Sequence, residues 1–139
     1  MRKIIGYTQG TFDLFHIGHL NLLIQAKKNC DYLIVGVNSN KLVEAYKAKR
    51  AVIDEKDRAY IISHIDVVDE VIISTTLNKL EAYKNFKFDK IFIGDDWKGN
   101  ERWQETEKIL SQYNSEVCYL HHTDGVSSTK IAKKIKDTK

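Results

Sequence analysis

Cysteine is scarce in this sequence. Cys30 and Cys118 are the only two among 139 residues, and they lie far apart in the chain. Small secreted domains that rely on disulfides carry several closely spaced cysteines, so this pair gives no disulfide framework. Because the first residues also show no secretory leader, we expect a cytoplasmic protein.

The sequence also lacks long apolar runs, repeats, low-complexity tracts and Gly/Ser linkers. A membrane-spanning helix needs roughly 20 consecutive apolar residues, and no stretch reaches that length, so we expect no membrane partner. A chain of 139 residues fits one domain of roughly 100–200 residues. We therefore predict a single domain over residues 1–139.

Charge of one sign is not in large excess. The sequence has 22 lysines and arginines against 19 acidic residues, a formal charge of +3. Nucleic-acid-binding domains concentrate basic residues and interleave them with aromatics, and neither feature is present here. We expect no nucleic-acid partner, although a local anion-binding site stays open.

Hydrophobic periodicity predicts strands alternating with helices. Short apolar runs, mostly β-branched or aromatic, indicate strands at residues 3–7, 32–37, 70–73, 90–93 and 117–120. Stripes of apolar residues indicate helices at 19–28, 55–65, 77–85 and 103–113, and a further helical pattern at 130–135. Residues 38–52 are expected to be a poorly ordered loop.

This alternation predicts an α/β fold: a Rossmann-like, doubly wound, mostly parallel five-stranded sheet with helices on both faces. Ligands of such folds bind beyond the carboxyl ends of the strands, where the strand order reverses. The loops that follow the first, fourth and fifth strands are therefore the candidate ligand-binding segments.

The loop after the first strand, residues 10–19, contains Gly10, His16, Gly18 and His19. Glycine lets a ligand approach the backbone, and two imidazoles at a helix N-terminus can flank an anion. Zinc binding is disfavoured, since the sequence offers no third ligand cluster. Dinucleotide binding is disfavoured too, because the G-x-G-x-x-G spacing is absent.

Three motifs in the sequence carry a resemblance to a known family. They are Gly-Thr-Phe-Asp-x-x-His-x-Gly-His at residues 10–19, Gly-Asp-Asp-Trp at 94–97, and Thr-Asp-Gly-Val-Ser-Ser-Thr-Lys-Ile at 123–131. With these motifs the chain resembles, nearly end to end, the small cytidylyltransferases of the HxGH nucleotidyltransferase superfamily.

The resemblance implies transfer of CMP from CTP to a small phosphorylated alcohol, with release of pyrophosphate and with Mg²⁺ on the triphosphate. We expect glycerol 3-phosphate as the acceptor and CDP-glycerol, a precursor of surface polymers, as the product. Small relatives are homodimers, so a homodimer is implied as well. Positioning and charge stabilisation would supply most of the acceleration.

The same resemblance assigns roles by position. The implied catalytic residues are His16, His19, Lys47 and Arg58. The implied nucleotide-binding residues are Gly10, Thr11, Phe12, His16, His19, Lys49, Gly94, Asp95, Thr123, Gly125, Ser127, Ser128 and Thr129. The implied acceptor-binding residues are Lys47, Asp96, Trp97 and His122, and no side-chain metal site is expected.

The sequence departs from the family pattern at two positions. His122 stands where the family has an arginine, and Asp66 stands where the family tends to have a basic residue. Arginine offers a permanent charge and a fixed fork of donors, whereas histidine is partly neutral near pH 7. Three alternatives therefore stay open: another acceptor such as phosphocholine or phosphoethanolamine, ATP in place of CTP, or a nucleotide-binding regulatory protein without turnover.

Overall fold

A five-stranded parallel sheet forms the centre of the computed structural model, which describes residues 2–121 and 128–137. The strands are β1 (Ile5–Gly10), β2 (Tyr32–Asn38), β3 (Glu70–Ser74), β4 (Lys90–Gly94) and β5 (Glu116–Leu120). The helices are α1 (Ile17–Lys28), α2 (Asn40–Lys47), α3 (Glu55–Ser63), α4 (Lys79–Phe86), α5 (Glu101–Ser111) and α6 (Ser128–Asp137). A short 3₁₀ turn, Asp95–Trp97, follows β4.

The strand order is β3-β2-β1-β4-β5, and every neighbouring pair is parallel. The chain winds outward from β1 through β2 to β3, then crosses to β4 and continues to β5. The order therefore reverses between β1 and β4, which is where doubly wound folds bind ligands. The predicted α/β fold class is confirmed.

Two hydrophobic clusters cover the two faces of the sheet. On one face, Leu23 of α1 and Ile62 of α3 pack with Leu33, Val35 and Val37 of β2. The other face is covered by α4 and α5, whose contributions to the second cluster include Ala82, Trp103 and Leu110. Side chains of a strand alternate between faces, so a strand covered on both sides is apolar throughout.

The segment expected to be a poorly ordered loop contains a helix, so that expectation was wrong. Helix α2 begins after Ser39, whose side chain accepts a hydrogen bond from the Leu42 N–H at 3.1 Å. Val43 anchors the helix in the core at 1% exposure. In the sequence, the capping serine and the apolar Val43 were the available signals for this helix. The neighbouring lysines favoured a loop instead.

Two other element boundaries bear on the site. Strand β1 extends to Gly10, and α1 begins at Ile17, so both ends of the loop between them are fixed by regular structure.

Within the described ranges, no helix combines the length and the apolar character needed to cross a membrane.

Candidate active site

The loops that could carry chemistry meet at the carboxyl ends of β1 and β4. The β1–α1 loop holds the paired histidines, the turn after β4 holds Asp95 and Trp97, and α2 follows β2 on the adjoining side. Parallel strands end at the same edge of the sheet, so these segments share one rim.

His16 and His19 both bond to the backbone at the start of α1. The Nδ1 atom of His16 accepts from the Gly18 N–H at 3.0 Å, and the Nδ1 atom of His19 accepts from the His16 N–H at 3.2 Å. Together they form a capping box in which histidines take the usual places of serine and glutamate. A nitrogen that accepts a hydrogen bond carries no proton, so each ring bears its proton on Nε2.

The two imidazoles lie against one another. Their ring centroids are 3.9 Å apart with an angle of 22° between planes, and Phe12 and Phe15 contact the His19 ring. Burial lowers the pKa of His19 to about 4, and the neighbouring His16 and Lys47 act in the same direction, while Asp13 opposes them. His19 is therefore neutral at physiological pH and can donate from Nε2 to an anionic oxygen.

The loop leading to the histidines has an unusual backbone. Phe12 and Leu14 adopt positive φ angles of 54° and 49°, a conformation that costs side-chain-bearing residues free energy. The Phe12 ring is buried in the core at 6% exposure. A Cβ atom on Gly10 would lie 3.0 Å from this ring, so Gly10 is needed here for packing against Phe12.

A cavity of about 640 Å³ adjoins the same loop at Gly10 and Thr11. Its polar walls come from the ends of β1 and β2 and from α2, and include Thr11, Asn38 and Lys47. Its apolar walls come from the α4 and α5 side, with Trp97 and Trp103 among them. A volume of this size suits a small organic ligand.

Lysine and arginine dominate the charge of this cavity. Among the residues that the structure describes, Lys47, Lys79 and Arg102 line it, together with one carboxylate, that of Glu105. The ammonium group of Lys79 lies 5.8 Å from the centroid of the Trp103 ring. Burial lowers the pKa of Lys79 to about 8, so the group is still mostly charged at pH 7. The cavity therefore favours an anionic ligand.

Neutral side chains join this cavity to the histidine loop. The Tyr46 hydroxyl lies 2.9 Å from Thr11 Oγ1 and accepts from Asn38 Nδ2 at 3.1 Å. The Asn38 Oδ1 atom accepts from Gln9 Nε2 at 2.8 Å. Through Tyr46 this network ties α2, and with it Lys47, to the end of β1.

Other residues assigned from the sequence lie around this centre. Lys49 is exposed on the segment between α2 and α3 and does not line the cavity. The Asp95 carboxylate lies 3.8 Å from Nδ1 of His121, while Asp96 is exposed beside the cavity without lining it.

Arg58, which the family resemblance implies to be catalytic, does not line the cavity. Its side chain is buried at 1% exposure, and its guanidinium group donates to carbonyl oxygens of the surrounding loops.

The predicted residues His122, Thr123, Gly125 and Ser127 lie outside the described residues. Ser128 and Thr129 belong to the first turn of α6, with side chains outside the described part. Among residues 2–121 and 128–137, no group of three His, Cys, Asp or Glu side chains is placed to hold a metal ion.

Sequence reasoning missed Lys79, Arg102, Asn38 and Tyr46. Lys79 and Arg102 are in the first turns of α4 and α5, whose sequences have the pattern of ordinary helices that cover a sheet. Only the folded chain shows that both residues line one cavity. A signal existed for Asn38, a polar residue at the carboxyl end of a buried strand.

Known proteins are similar to this chain in both sequence and structure. The sequence matches the family model described as cytidylyltransferase-like over residues 7–134. It is 41% identical over 134 residues to glycerol-3-phosphate cytidylyltransferase from Bacillus spizizenii (strain ATCC 23059 / NRRL B-14472 / W23), with 96% of each chain covered. It is 35% identical over 138 residues to bifunctional protein HldE from Helicobacter pylori (strain P12), where the match covers 99% of this chain and 28% of that protein.

Among solved structures, the lipopolysaccharide core biosynthesis protein from Thermoplasma volcanium GSS1 superimposes with a TM-score of 0.77 at 26% identity. The match covers 88% of this chain and 100% of that chain.

The protonation of His19 offers a test of this geometry. Because burial disfavours the charged ring, we expect His19 to stay neutral, with its proton on Nε2, from pH 8 down to pH 5 and to titrate near pH 4. The pKa of a histidine in the unfolded chain is about 6.5, so between about pH 6.5 and pH 4 only the unfolded chain takes up the proton. The free energy of unfolding therefore decreases as the pH falls through this range. Nitrogen-15 NMR of the imidazole rings measures both properties, with the exposed His64 in the same spectra as an internal reference. A His19 pKa at or above 6.5, or a proton on Nδ1, would contradict the structure.

Proposed function

This chain belongs to the cytidylyltransferase-like family and is a nucleotidyltransferase, and from that premise we propose that it transfers CMP from CTP to glycerol 3-phosphate, giving CDP-glycerol and pyrophosphate. One observation carries the proposal: a single loop holds a pair of imidazoles with protons on Nε2 and, at Gly10 and Thr11, lines a cationic cavity. The relative from Bacillus spizizenii, named for this activity, covers almost the whole chain. We propose that residues 1–139 act as one catalytic domain.

The proposed step is an in-line displacement. An oxygen of the acceptor phosphate attacks the α-phosphorus of CTP, a new oxygen–phosphorus bond forms, and the bond from the α-phosphorus to the bridging oxygen breaks. Pyrophosphate leaves with that electron pair. The second pKa of a phosphate monoester is about 6, so the attacking oxygen is already ionised near pH 7 and needs no strong base. The protein's contribution is to align the two phosphates and to stabilise the charge that develops.

The histidine loop is suited to the triphosphate. Neutral imidazoles with Nε2 protons donate hydrogen bonds to phosphate oxygens, and the N-terminus of α1 adds the favourable end of the helix dipole. The backbone N–H bonds to both Nδ1 atoms fix the rings before the ligand arrives, so little reorganisation is needed.

Lys47 lies at the boundary between the two parts of the site. It lines the cavity, and its charge is near enough to His19 to lower that residue's pKa. We assign to Lys47 the contact with both substrates, where it offsets repulsion between the acceptor phosphate and the triphosphate. Lys49, which is exposed next to it, is assigned to the nucleotide.

Magnesium enters as part of the substrate in this proposal. Mg²⁺ prefers oxygen ligands and is usually held by one or two carboxylates together with substrate phosphates. The exposed carboxylates of Asp95 and Asp96 are on the rim and would fit an outer contact with such a complex. The metal would neutralise charge on the triphosphate.

The charge of the cavity bears on the choice of acceptor. Phosphocholine and phosphoethanolamine carry a cationic group, which Lys79 and Arg102 would repel inside the cavity. The Trp103 ring, which attracts cations, is already occupied by the ammonium group of Lys79. Glycerol 3-phosphate is anionic at one end and carries only hydroxyls at the other, so it fits this charge distribution better.

Two finer proposals concern the protein's context. We propose that it acts in the cytoplasm, with Cys30 and Cys118 as free thiols.

We also propose a homodimer, because α3 and the segment before it expose Tyr60 at 66% and Val52 at 70%. Sedimentation equilibrium at micromolar concentration tests the dimer, and a monomer mass would reject it.

The proposed activity is tested by pyrophosphate release with a matrix of nucleotides and acceptors. CTP with glycerol 3-phosphate should give the highest kcat/KM, with CDP-glycerol identified by mass spectrometry. Phosphocholine, phosphoethanolamine and ATP serve as competing substrates in the same matrix. Activity with ATP alone would overturn cytidylyl transfer, and CTP binding without turnover for any acceptor would favour a regulatory protein.

Lys79 tests the assignment of the cavity to the acceptor. Lys79→Met removes the cation and keeps most of the side-chain volume, so we expect the KM for glycerol 3-phosphate to rise at least tenfold while the KM for CTP changes less than about threefold. Lys87→Met is the matched control, since Lys87 follows the same helix and lies 5.3 Å from the Tyr83 ring centroid, outside the cavity. An unchanged acceptor KM in Lys79→Met, or an equal effect in Lys87→Met, would move the acceptor out of this cavity.

A further inference from the structure

The guanidinium group of Arg58 is held inside the protein, behind the rim. Arg58 is on α3 and is only 1% exposed, which is unusual for a charged side chain. A buried charge costs free energy unless hydrogen bonds and neighbouring charges compensate it, so its partners indicate what it does.

Four hydrogen bonds extend from Arg58 to four different residues. Its Nε atom donates to the Ile53 carbonyl at 2.8 Å, and one terminal nitrogen donates to the carbonyls of Thr11 at 2.8 Å and Asn38 at 2.7 Å. The other terminal nitrogen donates to Asn40 Oδ1 at 2.7 Å.

Each of these partners belongs to a segment that carries part of the proposed site. Thr11 is in the loop that leads to His16, and Asn38 ends β2 with its side chain in the cavity wall. Asn40 begins α2, the helix that ends at Lys47. Ile53 belongs to the segment 48–54, between α2 and α3, which also contains Lys49.

Carboxylates around Arg58 reinforce the arrangement. Asp13, Glu55 and Asp54 all stabilise the charged guanidinium. The Asp13 carboxylate also accepts from the Val52 N–H at 2.7 Å and from the Ile53 N–H at 2.9 Å. Glu55 accepts from the Asn40 N–H at 2.9 Å. The Asn40 Nδ2 atom donates to Asp54 Oδ1 at 2.8 Å. The histidine loop and the start of α2 are thus each bonded to segment 48–54 as well as to Arg58.

We propose that Arg58 is a positioning residue, which fixes the histidine loop, the start of α2 and the lysine-bearing segment 48–54 in one arrangement before substrates bind. A guanidinium group has five N–H bonds in a planar fork, and four of them are used here. At most one bond is left for a ligand. Arg58 therefore acts on the triphosphate through the segments it holds.

The catalytic part of this inference rests on the proposed use of the rim for CTP and acceptor. The structural part does not, because the three segments are held together without any ligand. An experiment on the free protein therefore separates failure of the positioning role from failure of the proposed function.

Arg58→Lys is the informative variant. Lysine keeps the charge, but its single ammonium cannot reach acceptors spread over three segments. In the ligand-free protein, we expect amide hydrogen exchange at Val52 and Ile53 to become at least tenfold faster, because the segment they anchor is released. The amides of Asp31 and Glu116, bonded to carbonyls at the opposite end of the sheet, should change less than about twofold. The value of kcat with CTP and glycerol 3-phosphate should fall about 100-fold, since a displacement of about 1 Å costs that much.

Arg2→Lys is the matched control, since Arg2 is an exposed arginine paired with Asp89 away from the rim. It should leave both exchange and kcat unchanged.

If Arg58→Lys does not fold, Asn40→Ala removes one of the four acceptors and should speed exchange at Val52 and Ile53 about threefold. Unchanged exchange with weakened CTP binding would make Arg58 a direct phosphate ligand. Faster exchange with unchanged kcat would make its role purely structural. Either result overturns the proposal.

Discussion

The hydrogen bonds between the two imidazoles and the backbone at the start of α1 are the interaction on which the site depends. They satisfy N–H groups that a helix N-terminus otherwise leaves without partners. They also decide which nitrogen carries the proton in each ring, so the same bonds that begin the helix prepare two donors for an anion. Burial then keeps His19 neutral, because the charged ring would lose solvation and face His16 and Lys47.

The sheet topology determines where the cavity, the second part of the site, lies. Reversal of the strand order between β1 and β4 separates the helices that follow them and leaves space beyond the strand ends. Helices α4 and α5 close that space with apolar and aromatic side chains, while Lys79 and Arg102 supply charge. The resulting cavity meets the histidine loop at Thr11, where one substrate can be held against the other.

Much of the fold could be predicted from periodicity alone. Strands buried on both faces are mostly apolar, as β2 is before Asn38, and helices that cover a sheet carry one apolar stripe, so element order and sheet type follow. Short helix α2 was missed because its stability comes from one buried residue and a cap rather than from a long stripe.

The site could be predicted only in part. The histidine pair and Lys47 follow from motif and position, since local geometry at a helix start depends on a few neighbouring residues. The roles of Lys79 and Arg58 depend on segments distant in sequence. Arg58 donates to the carbonyl of Thr11, 47 residues away in sequence, and only the folded chain shows that four of its five N–H donors have partners within the protein. Sequence position alone does not separate a phosphate ligand from a residue that holds the loops around it.

The central claim is that one loop joins a triphosphate site to an acceptor cavity. A crystal structure with glycerol 3-phosphate and an α,β-methylene analogue of CTP tests it most directly. The account predicts triphosphate oxygens within hydrogen-bond distance of Nε2 of His16 and His19, and the acceptor phosphate between Lys47 and Lys79. Triphosphate bound away from both rings, or an acceptor seated outside the cavity lined by Trp97 and Trp103, would contradict it.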